Sequence, residues 1–142
     1  MIIRKASPQD MPYVVRIAWR LALDYAGMEN DSFFVAEERG KIVAILGIRD
    51  FGEFLELVAV GVLEEYRDMG VGKRLVEEAL KNLAGRNVYL LTTVPGFYEK
   101  LGFARVEEVP EVLKKDPAWC AGCDRDKCVV LLRKADKNVN NG

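Results

Sequence analysis

No histidine occurs anywhere in the 142 residues. An imidazole base or metal ligand is therefore excluded, and acid–base chemistry falls to carboxylate, tyrosine and water. Cysteine is scarce as well, with three residues at Cys120, Cys123 and Cys128; an odd count suits a reducing compartment better than a disulfide framework. Long hydrophobic runs are missing too. The longest reach about seven residues even counting glycine, far short of the ~20 that a membrane span needs. MIIRKASPQDMPY has no long apolar stretch behind its charges and does not read as a secretory signal. Neither sign of charge dominates: 21 basic residues against 22 acidic ones leave a net −1, which gives no support to nucleic-acid or membrane binding by overall charge. These absences predict a cytoplasmic protein the size of one ordinary domain, with any basic site confined to a local patch.

What is present is a core-forming half of hydrophobic residues, distributed in alternating and helical patterns. MIIRKA reads as a strand. SPQDMPYVVRIAWRLALDYAG reads as a helix with Ser7 as N-cap, Pro8 at its first position and Gly27 near its end, its apolar stripe being Val14, Ile17, Ala18, Leu21 and Tyr25. FFVAEE and KIVAILGIRD form a hairpin about Arg39-Gly40, and EFLELVAVGVLEE is the longest β-like run. GVGKRLVEEALKNLAG is an amphipathic helix, NVYLLTT a strand and PGFYEKLG a short helix, with FARVEEV and CVVLLRK as further strands. The order β-α-β-β-β-α-β-α-β-β predicts an α/β or α+β domain, one mixed, mostly antiparallel sheet with helices on both faces. The domain would cover residues 1–134, and the polar, Asn-rich tail 135–142 would fray.

The chemistry is concentrated in EYRDMGVGKRL, Glu65 to Leu75. Two glycines stand where a helix is about to begin, although each costs roughly 1 kcal/mol against Ala inside one. Strand, R-x-x-G-x-G, helix is an anion-binding layout, because first-turn N–H groups and the positive end of the helix dipole converge there. Gly70 and Gly72 remove Cβ atoms while Arg67, Lys73 and Arg74 add charge; the alternative is a glycine-rich turn flanked by solvated basic residues. A Walker loop fails because Arg67 and Arg74 occupy its Gly and Ser/Thr positions. A dinucleotide fingerprint fails at Leu75.

Arg67-Asp68-Met69-Gly70-Val71-Gly72 does match Arg/Gln-x-x-Gly-x-Gly/Ala, and FYEKLGF follows about 25 residues later. In these motifs, and in the order of elements, the chain resembles the GNAT superfamily of N-acetyltransferases. The resemblance implies acetyl-CoA as cosubstrate, no metal, and an amine acceptor that attacks the thioester directly in a ternary complex. It implies that Arg67, Asp68, Met69, Gly70, Val71, Gly72 and Lys73 hold the pyrophosphate. Gly61 within LELVAVGVL suggests a bulge, a close approach of another backbone, or a mere core kink; by resemblance, Val60, Gly61 and Val62 pair with the pantetheine.

Glu56 is the only charge between Phe54 and Leu63. A carboxylate in an apolar strand costs free energy unless paired, and desolvation suits it to general-base work on an ammonium group. By resemblance it is the base, with Glu53 as the runner-up; the alternative is a carboxylate facing solvent or paired with a cation. Tyr98, by resemblance, protonates the departing thiolate, though its apolar neighbours also fit a core tyrosine. Thr92 and Thr93 end the preceding strand near the same place.

LTTVPGFYEKLGF and the ending C-x2-C-x4-C are similar to segments of the N-acetylglutamate-synthase-like branch. That branch carries a longer two-helix section before its second strand, where this chain has only about 30 residues before FFVAEE. The acceptor pocket is expected to be more open, or completed by a second subunit in a homodimer. The cysteines have the spacing of a zinc knuckle without its fourth ligand, so thiols are the expectation. Two other functions stay in view: a non-catalytic acyl-CoA-binding regulatory module, and an interaction protein built on a metal-bound cysteine tail.

Overall fold

Ser7 fixes where the first helix begins. Its backbone is extended, and the Asp10 carboxylate accepts both its N–H (2.7 Å) and its hydroxyl (2.9 Å), closing a 3-10 turn over Pro8–Asp10. Arg4 clamps the same carboxylate from the first strand, at 2.7 and 3.0 Å. The Arg4 guanidinium and the Ser7 amide hold the Asp10 carboxyl well below the usual carboxylate range. Helix α1 (Met11–Arg20) then runs on, burying Val14, Ile17 and Ala18.

The computed structural model describes residues 1–83, 85–114 and 128–135. Its strands are β1 (Ile2–Lys5), β2 (Ser32–Glu38), β3 (Lys41–Asp50), β4 (Phe54–Val62), β5 (Asn87–Thr92), β6 (Ala104–Arg105) and β7 (Val129–Arg133). Beside α1 the helices are α2 (Val71–Lys81), α3 (Pro95–Glu99) and α4 (Glu111–Lys114). The strands form one mixed sheet in the order β1-β2-β3-β4-β5-β7-β6, and only β4 and β5 run parallel among the described pairings. The expected fold class is met. Contacts divide the chain into two compact units: residues 1–50 with 57–83, and residues 51–56 with the described residues from 85 onward.

In the first unit, Phe33 to Ala36 are buried without a break, so both faces of β2 are covered. One face meets α1 in a cluster of Val14, Ile17, Ala18, Phe33, Val35, Ile45 and Leu63. Helix α2 packs on β2 and β3 through Val71, Leu75, Val76, Ala79 and Leu80, the stripe that the sequence period predicts. Burying one such leucine contributes about 1.5–3 kcal/mol. The β2–β3 hairpin turns at Arg39 (φ +51°) and Gly40 (φ +80°), the left-handed pair of a type I′ turn.

Helix α1 departs from expectation at its end. It stops at Arg20 and does not continue toward Gly27, which at φ +83° precedes a separate 3-10 turn, Met28–Asn30. The stop is a Schellman cap: Leu23 N–H donates to the Ala18 carbonyl (2.7 Å) and Ala22 N–H to that of Trp19 (3.1 Å). Ala22 occupies the left-handed position at φ +58°, where glycine is the usual choice, so no sequence signal marks it. Ala22→Gly should raise stability by about 0.5–1 kcal/mol. A calorimetric midpoint that falls in that variant would contradict the assignment of strain at this cap.

In the second unit, the start of β4 pairs with β5 over Phe54–Asn87, Leu55–Val88 and Glu56–Tyr89, and β7 pairs β5 from Val88 to Thr92. Stacked Phe51 and Phe54 (5.0 Å) and the edge contact of Phe54 with Tyr89 (5.3 Å) lock the turn into β4. β6 is only two residues long, where FARVEEV reads as a full strand. Its pairing runs out after Arg105, and Val106 keeps a single backbone bond to Val130. Cys128 precedes β7 and is disulfide-bonded, against the expectation of free thiols. Cys120, Cys123 and the tail beyond Ala135 lie outside the described residues.

Candidate functional site

β4 leaves regular strand geometry at Ala59, whose φ of +51° is left-handed for a residue with a side chain. Such backbone costs on the order of 1–3 kcal/mol and persists only where its surroundings demand it. Two residues on, a Cβ on Gly61 would stand 2.5 Å from Leu23 Cδ1 and 2.8 Å from Leu21 Cδ1. The missing side chain thus admits the two leucines that follow α1, and it is these side chains, not a second backbone, that crowd Gly61 on that face. Val60, Gly61 and Val62 are all half-buried at the end of β4.

The chain then turns into the glycine loop. Leu63 N–H donates to the Val43 carbonyl (2.9 Å), a 3-10 turn spans Glu64–Tyr66, and Arg67 is extended. Asp68 (φ +65°) and Gly70 (φ +76°) are both left-handed, and Gly70 is the N-cap of α2. Arg74 N–H makes the first turn's bond to the Gly70 carbonyl (3.1 Å), so the N–H groups of Val71, Gly72 and Lys73 precede the helical ladder. A Cβ on Gly70 would meet nothing within 4 Å. Open space thus lies beside Gly70, at a helix start whose first N–H groups precede the ladder, a layout suited to an anion. Arg67 is drawn back onto the strand, its Nε donating to the Val62 carbonyl at 3.1 Å. That bond ties the loop to the end of β4 in the same unit. Lys73 and Met69 are exposed, with Lys73 Nζ 3.8 Å from Glu77.

The second unit holds the candidate acid and base. Glu56 is 5% exposed between the buried Leu55 and Leu57, whereas Glu53 is exposed in the β3–β4 turn. Burial separates the two carboxylates that the sequence left in competition. Tyr98 on α3 is 7% exposed, held edge-on by Phe97 (4.9 Å) and Phe103 (5.8 Å). Burial pushes its phenol up to about 12. The folded state therefore favours the neutral phenol. That stabilisation is complete below the unfolded value of about 10 and is lost as pH rises from there toward 12. Tyr98→Phe keeps the ring and should flatten the alkaline fall in unfolding free energy by on the order of 2–3 kcal/mol at its upper end. Denaturant melts across that window measure it, and parallel curves would contradict it. Thr92 is buried, and its hydroxyl accepts the Val94 N–H (3.0 Å), which shapes the step from β5 to α3; Thr93 is exposed.

Comparison with known proteins bears on this geometry directly. The acetyltransferase (GNAT) domain family matches residues 29–105, about half of the chain and all of the glycine loop. The chain belongs to the GNAT family. An uncharacterised N-acetyltransferase from Chlorobaculum tepidum is 32% identical over 99 residues, which cover 66% of this chain and 62% of that relative. An N-alpha-acetyltransferase from Sulfurisphaera tokodaii is 28% identical over 75% of this chain and 72% of its own. Among solved structures, N-acetylglutamate synthase from Neisseria gonorrhoeae, complexed with coenzyme A and L-arginine, superposes with a TM-score of 0.75 at 22% identity. The match covers 94% of this chain and 33% of that one. At that identity the likeness carries the fold.

In this GNAT chain the sequence signature marks the loop but not its strain. Ala59 carries no signal at all, since alanine is an uncommon left-handed residue. Asp68 carries a weak one, because aspartate tolerates that region. Leu21 reads as a helix-stripe residue and Leu23 as part of the same helix, and both emerge as the cover on Gly61. Among the described residues no cluster of three or more metal-ligating side chains occurs. No described helix is long and apolar enough to cross a membrane.

Proposed function

We propose that the chain transfers an acetyl group from acetyl-CoA to a primary amine by direct attack within a ternary complex. The observation that carries this reading is the glycine loop: two left-handed positions, open space at Gly70 and the first turn of α2 offer backbone donors to a pyrophosphate. Val71, Gly72 and Lys73 would bind it through N–H groups, with Arg67 bracing the loop on Val62. The ladder between β4 and β5 covers Phe54 to Glu56, and, by likeness to the family, Val60, Gly61 and Val62 at the end of β4 would pair with the pantetheine amides. Acetyl-CoA, when bound, supplies the activated acyl group.

Glu56 would take a proton from the ammonium acceptor, directly or through water, so that a neutral amine attacks the thioester carbonyl. The carbon–nitrogen bond forms, the carbon–sulfur bond breaks, and the departing thiolate takes its proton from the Tyr98 hydroxyl. The second proton that the nitrogen sheds as the amide forms returns through solvent to the Tyr98 phenolate. A phenol held near 12 stays protonated at neutral pH and remains a donor. The acceptor class stays at the level of a primary amine. The S. tokodaii relative is named an N-alpha-acetyltransferase and the gonococcal neighbour an N-acetylglutamate synthase, and the segment between α1 and β2 holds only the Met28–Asn30 turn.

Thiol release from acetyl-CoA, followed over free amino acids, polyamines, peptides with small N-terminal residues and lysine peptides, tests the proposal. Acceptor-dependent CoA formation in one class identifies the substrate. Tight acetyl-CoA binding with no turnover in any class would favour a non-catalytic acyl-CoA-binding module instead.

A further inference from the structure

The first unit holds a second concavity that shares no residue with the glycine loop. It is a cavity of about 430 Å³ beside α1, within the range of small-molecule sites. Tyr13, Arg16, Ile17 and Arg20 recur at spacings of three and four along one side of the helix, and Lys41 and Leu63 face them from the sheet. We infer that this cavity binds a small organic anion, a carboxylate or phosphate ester carried on an apolar or aromatic body.

The charge arrangement carries the inference. Four cations and two carboxylates line the cavity, in a chain whose overall charge is −1. Both carboxylates are already engaged by one of those cations: Arg4 grips Asp10 through two bonds (2.7 and 3.0 Å) and Glu37 through a third (3.3 Å). Arg20 has only Glu65, 3.6 Å away between groups more than half exposed, a contact that solvent and salt screen. Arg16 and Lys41 have no carboxylate within ion-pair distance among the described residues. The positive charge along this wall is thus left uncompensated by the protein itself.

The remaining surface selects for more than charge. Tyr13 is 57% exposed with its ring beneath the Arg16 guanidinium, 5.9 Å from the centroid. An aromatic face and a guanidinium so coupled offer a stacking platform next to a bidentate anion donor. Ile17, Ile42 and Leu63 are buried core residues whose edges form the floor. An inorganic anion would leave that apolar floor wet, so a carboxylate or phosphate on an apolar body fits better than a bare ion.

The test is residue-resolved amide NMR of the full chain saturated with CoA, titrated with phenylacetate, phenyl phosphate, inorganic phosphate and benzyl alcohol. One of the two aromatic anions should saturate, with shifts at Tyr13, Ile17 and Leu63, and should bind at least about tenfold more tightly than inorganic phosphate or benzyl alcohol. The preferred anion identifies carboxylate or phosphate as the natural headgroup. Arg16→Gln combined with Lys41→Gln changes exposed side chains and should weaken binding about tenfold or more, while the stabilisation by CoA stays unchanged. Tyr13→Ala should weaken the aromatic anions and leave inorganic phosphate alone. Absence of saturation at millimolar probe, shifts confined to the Gly70–Lys73 loop, or a double variant that binds as well as wild type would each overturn the inference.

Discussion

Gly72→Glu should abolish the thermal stabilisation that acetyl-CoA gives the wild-type chain. A ligand at 100 times its dissociation constant adds about 2.7 kcal/mol to a folded protein, a shift of several degrees at this size. The loop donors precede the first bond of α2, so a carboxylate placed among them occupies the helix start where the pyrophosphate is proposed to bind. The substituted side chain itself suits a helix N-terminus, so the apo protein should melt near the wild-type temperature. CoA should stabilise as acetyl-CoA does, because both carry the pyrophosphate, and ATP at the same concentration should not. A wild-type chain that ignores millimolar acetyl-CoA would remove the glycine loop as a cofactor site. Stabilisation that survives the substitution would move the pyrophosphate elsewhere.

The glycine loop was legible because its constraint is local. The left-handed N-cap at Gly70 favours a residue without a Cβ, and the Gly-x-Gly spacing at a helix start stays visible in one sequence. The amphipathic stripe of α2 and the Arg39-Gly40 hairpin were legible for the same reason, since period and turn chemistry act over a few residues. The end of α1 was not. Ala22 adopts a glycine-like conformation that the cap bonds from Leu23 and Ala22 impose, and helix propensity alone carries the pattern on to Gly27. Ala59 was hidden likewise, because its strain answers to tertiary surroundings. β6 was overread since alternation in FARVEEV also describes a half-buried loop. The competition between Glu53 and Glu56 could not be resolved from one sequence either: both are single charges near apolar residues, and only the position of the β3–β4 turn exposes one and buries the other.

That difference in burial sets the second large effect. Glu56→Gln should lower kcat by about 10²–10⁴, the usual contribution of a positioned general base, with little change in acetyl-CoA affinity. Glutamine keeps the shape and some of the hydrogen bonding of the side chain, so thermal stability serves as a control for folding. Glu53→Gln, at an exposed turn, should leave kcat near wild type. The pH profile adds a readout that a purely structural role would not move. If Glu56 delivers a neutral amine, the variant's rate should climb steeply with pH as the acceptor deprotonates in solution, and the deficit should narrow at alkaline pH. A deficit of constant size across pH would mean that Glu56 orients the acceptor without removing its proton. An unchanged kcat would take the base away from Glu56 altogether, and with no histidine in the chain the proton would then pass to water or to a carboxylate elsewhere. Tyr98→Phe separates the other half of the step. Its kcat loss should depend on the basicity of the leaving thiolate, whereas the loss at Glu56 should depend on that of the amine.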